Sequence, residues 1–110
     1  MKRVVITGLG AVTPIGNNVN DFWEGLINGK SGAAPITKFD ISNFKTKFAC
    51  EVKGFDPLEY IERQEARKMD LYTQYALVAA AESVKDAGLD FNLCDRKRVG
   101  VIVATGIGGI

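Results

Sequence analysis

Residues 75–81, YALVAAA, leave no polar face on a helix. A helix that is apolar all round is buried on every side, so protein must lie both above and below it. The run VGVIVAT at residues 99–105 poses the same demand for a strand, because it shows no alternation of polar and apolar residues. Strands of that kind lie in parallel sheets covered on both faces. Together these segments call for a layered α/β architecture. A chain of 110 residues buries only roughly two-thirds of its unfolded surface, and two apolar strands do not make an independently stable sheet. The expectation is a piece of a larger layered domain, and the end at Ile110, with no polar tail after the glycines, points the same way.

The remaining elements follow from local signals. RVVIT at residues 3–7 reads as a first strand, followed by a glycine-bearing turn. In NDFWEGLINGKSG, Asn20 is placed to cap a short helix that Gly29 ends, with Phe22, Trp23, Leu26 and Ile27 on its apolar face. Residues 31–56 mix turn formers with short aromatic and β-branched pieces, which predicts a long excursion with at most a short strand near residues 48–53. Asp56 then serves as an N-cap with Pro57 at the first helical position. Asp70 caps a second, longer helix that runs to about Ala87 and is closed by Gly88.

Composition removes several classes of function. Fourteen Lys and Arg against thirteen Asp and Glu leave a formal charge of +1, so no global field draws the chain to nucleic acid or to an anionic membrane. The longest apolar runs fall far short of the ~20 residues that span a bilayer. The basic start MKR does not make a signal peptide, because Gly8, Gly10, Thr13 and Pro14 interrupt the apolar stretch and no small-residue cleavage site follows. A cytoplasmic protein is expected. There is no histidine, so neither a Ser/His/Asp nor a Cys/His arrangement nor a His-metal site can be assembled from these residues alone. Cys50 and Cys94 lie far apart without CxxC spacing and read as reduced thiols. Cys94, followed closely by Arg96, Lys97 and Arg98, has a cationic setting that could activate a thiol; the plainer reading is a small apolar residue in a loop.

Two glycine clusters invite a nucleotide-binding reading. TGLGAVTPIG supplies Gly8 and Gly10 after the first strand, but Thr13 takes the third glycine's place and Pro14 follows. TGIGGI has Gly106, Gly108 and Gly109 without the Lys-Ser or Lys-Thr of a P-loop. Tight turning is the simpler use of such glycines.

Three motifs taken together carry a family resemblance: RVVITGLGAVTPIG at the start, RKMD opening an alanine-rich helix that closes in DAGLD, and GVIVATGIGG at the end. In order and spacing they resemble the beginning of the β-ketoacyl-acyl carrier protein synthases, specifically type II. The resemblance covers residues 1–110 and implies an incomplete N-terminal part of the synthase N-terminal domain. The implied fold is α/β, part of the thiolase-like layered αβαβα arrangement. The implied reaction is a decarboxylating Claisen condensation that elongates fatty acyl chains in a homodimer. It requires no cofactor of its own, since acyl groups arrive on the phosphopantetheine of acyl carrier protein. The family's nucleophilic cysteine and two histidines lie beyond residue 110, and neither Cys50 nor Cys94 matches the nucleophile, so no catalytic role is assigned here.

Two family roles do map onto this sequence. Ile107, flanked by Gly106 and Gly108, matches the isoleucine at the acyl pocket and favours type II over the type I relatives, which are glycine-rich at that point. Arg67 and Lys68, with Arg63 one helical turn earlier, match the basic patch that meets the acidic carrier protein. Gln64 stands where some relatives carry another lysine. The competing readings are a plain core isoleucine in a tight turn and a solvated charged face shared with Glu62 and Glu65. A chain-length factor of the same fold, a dinucleotide-binding domain and a stand-alone interaction module are the alternatives. They are separated respectively by the residue at the nucleophile position, by NAD or NADP binding, and by cooperative unfolding of the segment as a monomer.

Overall fold

The computed structural model describes residues 1–109. They form two compact units, residues 11–55 and residues 1–10 with 56–109.

The first unit begins with a tight turn in which Thr13 and Gly16 exchange backbone hydrogen bonds, N to O, of 2.8 and 3.3 Å. Helix α1, Val19–Ile27, follows. Its cap is Asn18 rather than Asn20. The Asn18 Oδ1 accepts from the Asp21 amide at 2.8 Å while its Nδ2 donates to the Asp21 carboxylate at 2.8 Å, a reciprocal arrangement that Asn20, two residues further in, cannot make. The helix ends as expected at Gly29, whose φ of +64° lets the Gly29 and Lys30 amides turn back onto the carbonyls of Leu26 and Gly25. The apolar face of Phe22, Trp23, Leu26 and Ile27 is largely open, with Phe22 half-buried and the other three exposed. Trp23 is 62% exposed, and the buried residue of the helix is Gly25, which sits against Ile15.

Within residues 31–55 two short strands pair, where one at most was expected. β1, Ala33–Pro35, runs antiparallel to β2, Phe48–Cys50, with Ala34 opposite Ala49. AAP carries no β-branched residue and ends in proline, so its strand character comes from the pairing and not from propensity.

The second unit is built on helix α3, Leu71–Asp86. Gly88, at φ +59°, closes it through Gly88 and Leu89 amides returning to Lys85 and Val84 carbonyls, as the sequence indicated. Before it, Asp56 caps as expected, accepting from Leu58 N at 2.9 Å, but the helix it starts is a single 3-10 turn, Pro57–Glu59. The chain then breaks and resumes as α2, Arg63–Ala66. Ile61, Ala66 and Val78 form the small core.

Three expectations are not met within this chain. Residues 3–7 and 99–105 are in no strand, since a strand exists only through a hydrogen-bonded partner and neither stretch is paired among the described residues. The α3 helix is not buried on all sides: Val78 is buried, whereas Leu77 is 42% exposed. Asp70 does not cap α3 with its side chain. Its carbonyl instead takes the Thr73 and Gln74 amides at 3.0 and 3.2 Å.

The glycines of the first motif serve packing. A Cβ on Gly8 would meet the Ala87 amide at 2.7 Å, and one on Gly10 would meet the Ser83 amide at 3.0 Å and collide with the Ala79 carbonyl. Bare backbone therefore lies against α3, held there by Leu9 N donating to Asp86 Oδ2 at 2.9 Å.

Candidate functional site

The residues assigned to carrier docking sit on α2 and the stretch leading into α3. One helical turn places Arg63 and Arg67 in register, with Arg67 N donating to Arg63 O at 3.3 Å. Gln74 of α3 donates from Nε2 to the carbonyls of Ala66 (2.8 Å) and Met69 (3.3 Å), so the end of the turn is fastened to the long helix. Buried Ala66 anchors the other side.

The three basic residues are not equivalent. Lys68 Nζ is 2.7 Å from Glu65 Oε1 in an exposed ion pair. Among the described residues, Arg63 and Arg67 have no carboxylate at ion-pair distance. ERQEARKMD, residues 62–70, holds three acidic and three basic side chains, so the segment has no net charge. A docking role therefore depends on the two guanidinium groups and not on a uniformly positive surface.

The glycine turn that carries Ile107 is open. Gly108 has φ +86° and its amide donates to Thr105 Oγ1 at 3.2 Å, so Thr105 shapes the turn. A Cβ on Gly106 would meet nothing within 4 Å. Ile107 is 79% exposed, so no slot closes over it among the described residues.

One contact brings the two groups of residues together, and no local sequence signal announces it. Gly109 lies so close to Asp70 that a Cβ there would stand 2.7 Å from the Asp70 Cβ and closer still to its carboxylate. Asp70 is two residues from Lys68, and Gly109 two from Ile107. Reading Asp70 as a helix cap concealed this, since an Asp before an apolar helix is the ordinary cap signal.

Other candidates hold less. Cys94 is half-buried and free. Arg96, the cation nearest to it in sequence, donates to Phe91 O and Asn92 Oδ1, both at 3.1 Å. A cleft of about 420 Å³ between the Thr13 turn and α1 contains Lys30 and Lys53. Both donate to backbone carbonyls, of Ile15 at 3.5 Å and Gly32 at 3.2 Å. Among the described residues no three His, Cys, Asp or Glu side chains group as a metal site, and no helix is long and apolar enough to cross a membrane.

The second unit thus sets a glycine-laced N-terminal segment on a long alanine-rich helix, with a second glycine turn at the start of that helix. Residues 1–110 match the family described as "Beta-ketoacyl synthase, N-terminal domain", and the chain belongs to that family. It is 46% identical over 109 residues to the 3-oxoacyl-[acyl-carrier-protein] synthase 2 of Synechocystis sp., covering 99% of this chain and 26% of that protein. Among solved structures it is similar to the ishigamide ketosynthase/chain length factor, with a TM-score of 0.73 and 42% identity over 80% of this chain and 22% of that one. It is also similar to a type II PKS acyl-carrier protein in complex with its ketosynthase bound to the hexaketide, with a TM-score of 0.64 and 28% identity over 86% of this chain and 23% of that one. The fold is thus the N-terminal part of the thiolase-like α/β architecture, and the chain spans about a quarter of the length of the curated relatives it matches.

Proposed function

We propose that these residues serve a condensing enzyme of the 3-oxoacyl-[acyl-carrier-protein] synthase 2 type, which elongates fatty acyl chains. In that reaction an enzyme cysteine displaces the carrier thiol from an acyl thioester. Malonyl carrier protein then loses carbon dioxide, and the resulting carbanion attacks the acyl-enzyme carbonyl. The carbon–carbon bond forms as the carbon–sulfur bond to the enzyme breaks, and the cysteine thiol is regenerated. The cysteine and its histidine partners lie outside residues 1–110, so this segment's share is binding. Ile107 walls the acyl chain, Gly106 and Gly108 admit it close to backbone, and Arg67 with Arg63 and Lys68 receives the carrier. The enzyme works in the cytoplasm as a homodimer, without a cofactor of its own, on acyl groups borne by the carrier's phosphopantetheine.

The observation that carries this reading is the Asp70–Gly109 contact, which sets the basic segment beside the glycine turn within a chain of this family. The relative whose structure contains an acyl-carrier protein supports the same partner. Charge reversal tests it. In an enzyme of the relatives' length carrying this segment, Arg67→Glu weakens carrier-protein binding about tenfold and flattens its salt dependence, as loss of a steering charge does. Lys68→Glu has the smaller effect, because Glu65 already engages Lys68. Unchanged affinity and salt dependence in the double reversal would sink the docking assignment.

A further inference from the structure

We propose that Asp70 is a positioning residue that latches the docking segment to the glycine turn through Gly109. Three observations meet at this residue. Asp70 stands immediately before α3 with extended backbone, φ −64° and ψ 154°, yet its side chain makes no capping bond. The Thr73 amide, one that a capping side chain would take, is held by the Asp70 carbonyl at 3.0 Å. The side chain lies instead on Gly109, with room between them for hydrogen but not for a methyl group. Gly109 is therefore required for space. Its neighbour Gly108 is the one with positive φ, so the turn separates the two uses of glycine, one for conformation and one for approach.

The consequence is mechanical. Gln74 fastens the end of the docking turn to α3, and Asp70 joins that same start of α3 to the turn bearing Ile107. A carrier protein that shifts Arg67 and Lys68 thereby shifts the backbone two residues from Ile107. The effect on acyl selection rests on Ile107 lining the acyl pocket; the latch itself rests only on Asp70 and Gly109.

The test uses Asp70→Gly, Asp70→Asn, Gly109→Ala and the pair Asp70→Gly/Gly109→Ala in an enzyme of the relatives' length. Asp70→Gly speeds amide hydrogen exchange at residues 107–109 about tenfold, as release of a local contact does. It also raises KM for long acyl primers about threefold or more, while kcat with the shortest primer holds. Asp70→Asn, of equal size, keeps both near the parent. Gly109→Ala reproduces the loss, and the pair is less impaired than the two single changes added together, because the added methyl no longer meets a side chain. Unaltered exchange at residues 107–109 in Asp70→Gly overturns the latch, as do strictly additive effects in the pair or an Asp70→Asn as impaired as Asp70→Gly. If exchange responds but Ile107→Ala leaves acyl-length preference untouched, the latch stands and the acyl-pocket reading falls.

Discussion

Gly10 and Gly106 look alike in the sequence, each in a glycine cluster that follows an apolar run, yet they differ in what a methyl group would meet. At Gly10 it would run into the backbone of α3 at Ala79 and Ser83, which cannot swing aside as a side chain does. At Gly106 it would meet open space at ordinary φ. Gly10→Ala is therefore expected to destabilise by about 2 kcal/mol or more, as overpacking against fixed atoms does, and Gly106→Ala to stay within about 0.5 kcal/mol. Thermal melting of the two variants in an enzyme of full family length checks the pair. Equal shifts would show that the N-terminal segment does not rest on α3. The presence of glycines at these positions was legible in the sequence, but their purpose was not. Close approach is a property of two segments 69 residues apart, Gly10 and Ala79, and nothing in a local window records it.

Among the elements, helix ends were the most legible and strands the least. Gly29 and Gly88 end their helices as read, because a left-handed residue at a C-terminus is a local event with a local signature. Asn18 displaced Asn20 as the cap because Asp21 answers it three residues on. Removing that cap by Asn18→Ala is expected to cost about 1 kcal/mol, seen as lower helicity and faster amide exchange in the first turn of α1. The strand at FAC falls where a short one was expected, but its pairing with AAP could not be read, since AAP has no strand character alone. Two residues that follow these strands supply a pH-dependent contact. Thr37 donates to Glu51 from Oγ1 at 2.8 Å and from its amide at 3.2 Å, and the hydroxyl bond is the main cause that holds the Glu51 carboxyl below the ordinary glutamate value of 4.5. A depressed carboxylate stabilises above the unfolded-state value and loses that contribution as pH falls through the folded one. The Thr37 amide resonance should accordingly shift on acidification below 4.5, with its midpoint under that value. Glu51→Gln should abolish the shift. A midpoint at or above the ordinary value would contradict the bond.

For the molecule as a whole, the decisive comparison is between its core and its open apolar surface. Ile61, Ala66 and Val78 are the buried apolar residues described, whereas Val4, Ile6, Val101 and Ile102 are each more than four-fifths exposed. These buried apolar side chains are few and one of them is alanine, so much of the apolar surface stays in water. The sequence had announced as much in YALVAAA and VGVIVAT, which ask for covering layers whatever their local conformation. The residues assigned to docking and to the acyl wall nonetheless share one unit, so the Asp70–Gly109 contact can be judged within it. The 110-residue chain by itself is thus expected to melt broadly and to bind a hydrophobic dye such as ANS. A monomer of this chain with a sharp transition, and with calorimetric and van't Hoff enthalpies that agree, would show two-state folding. That result would mean that residues 3–7 and 99–105 find partners within the chain in solution. The apolar segments beside Gly10 and Ile107 would then belong to a closed core and not to an open surface.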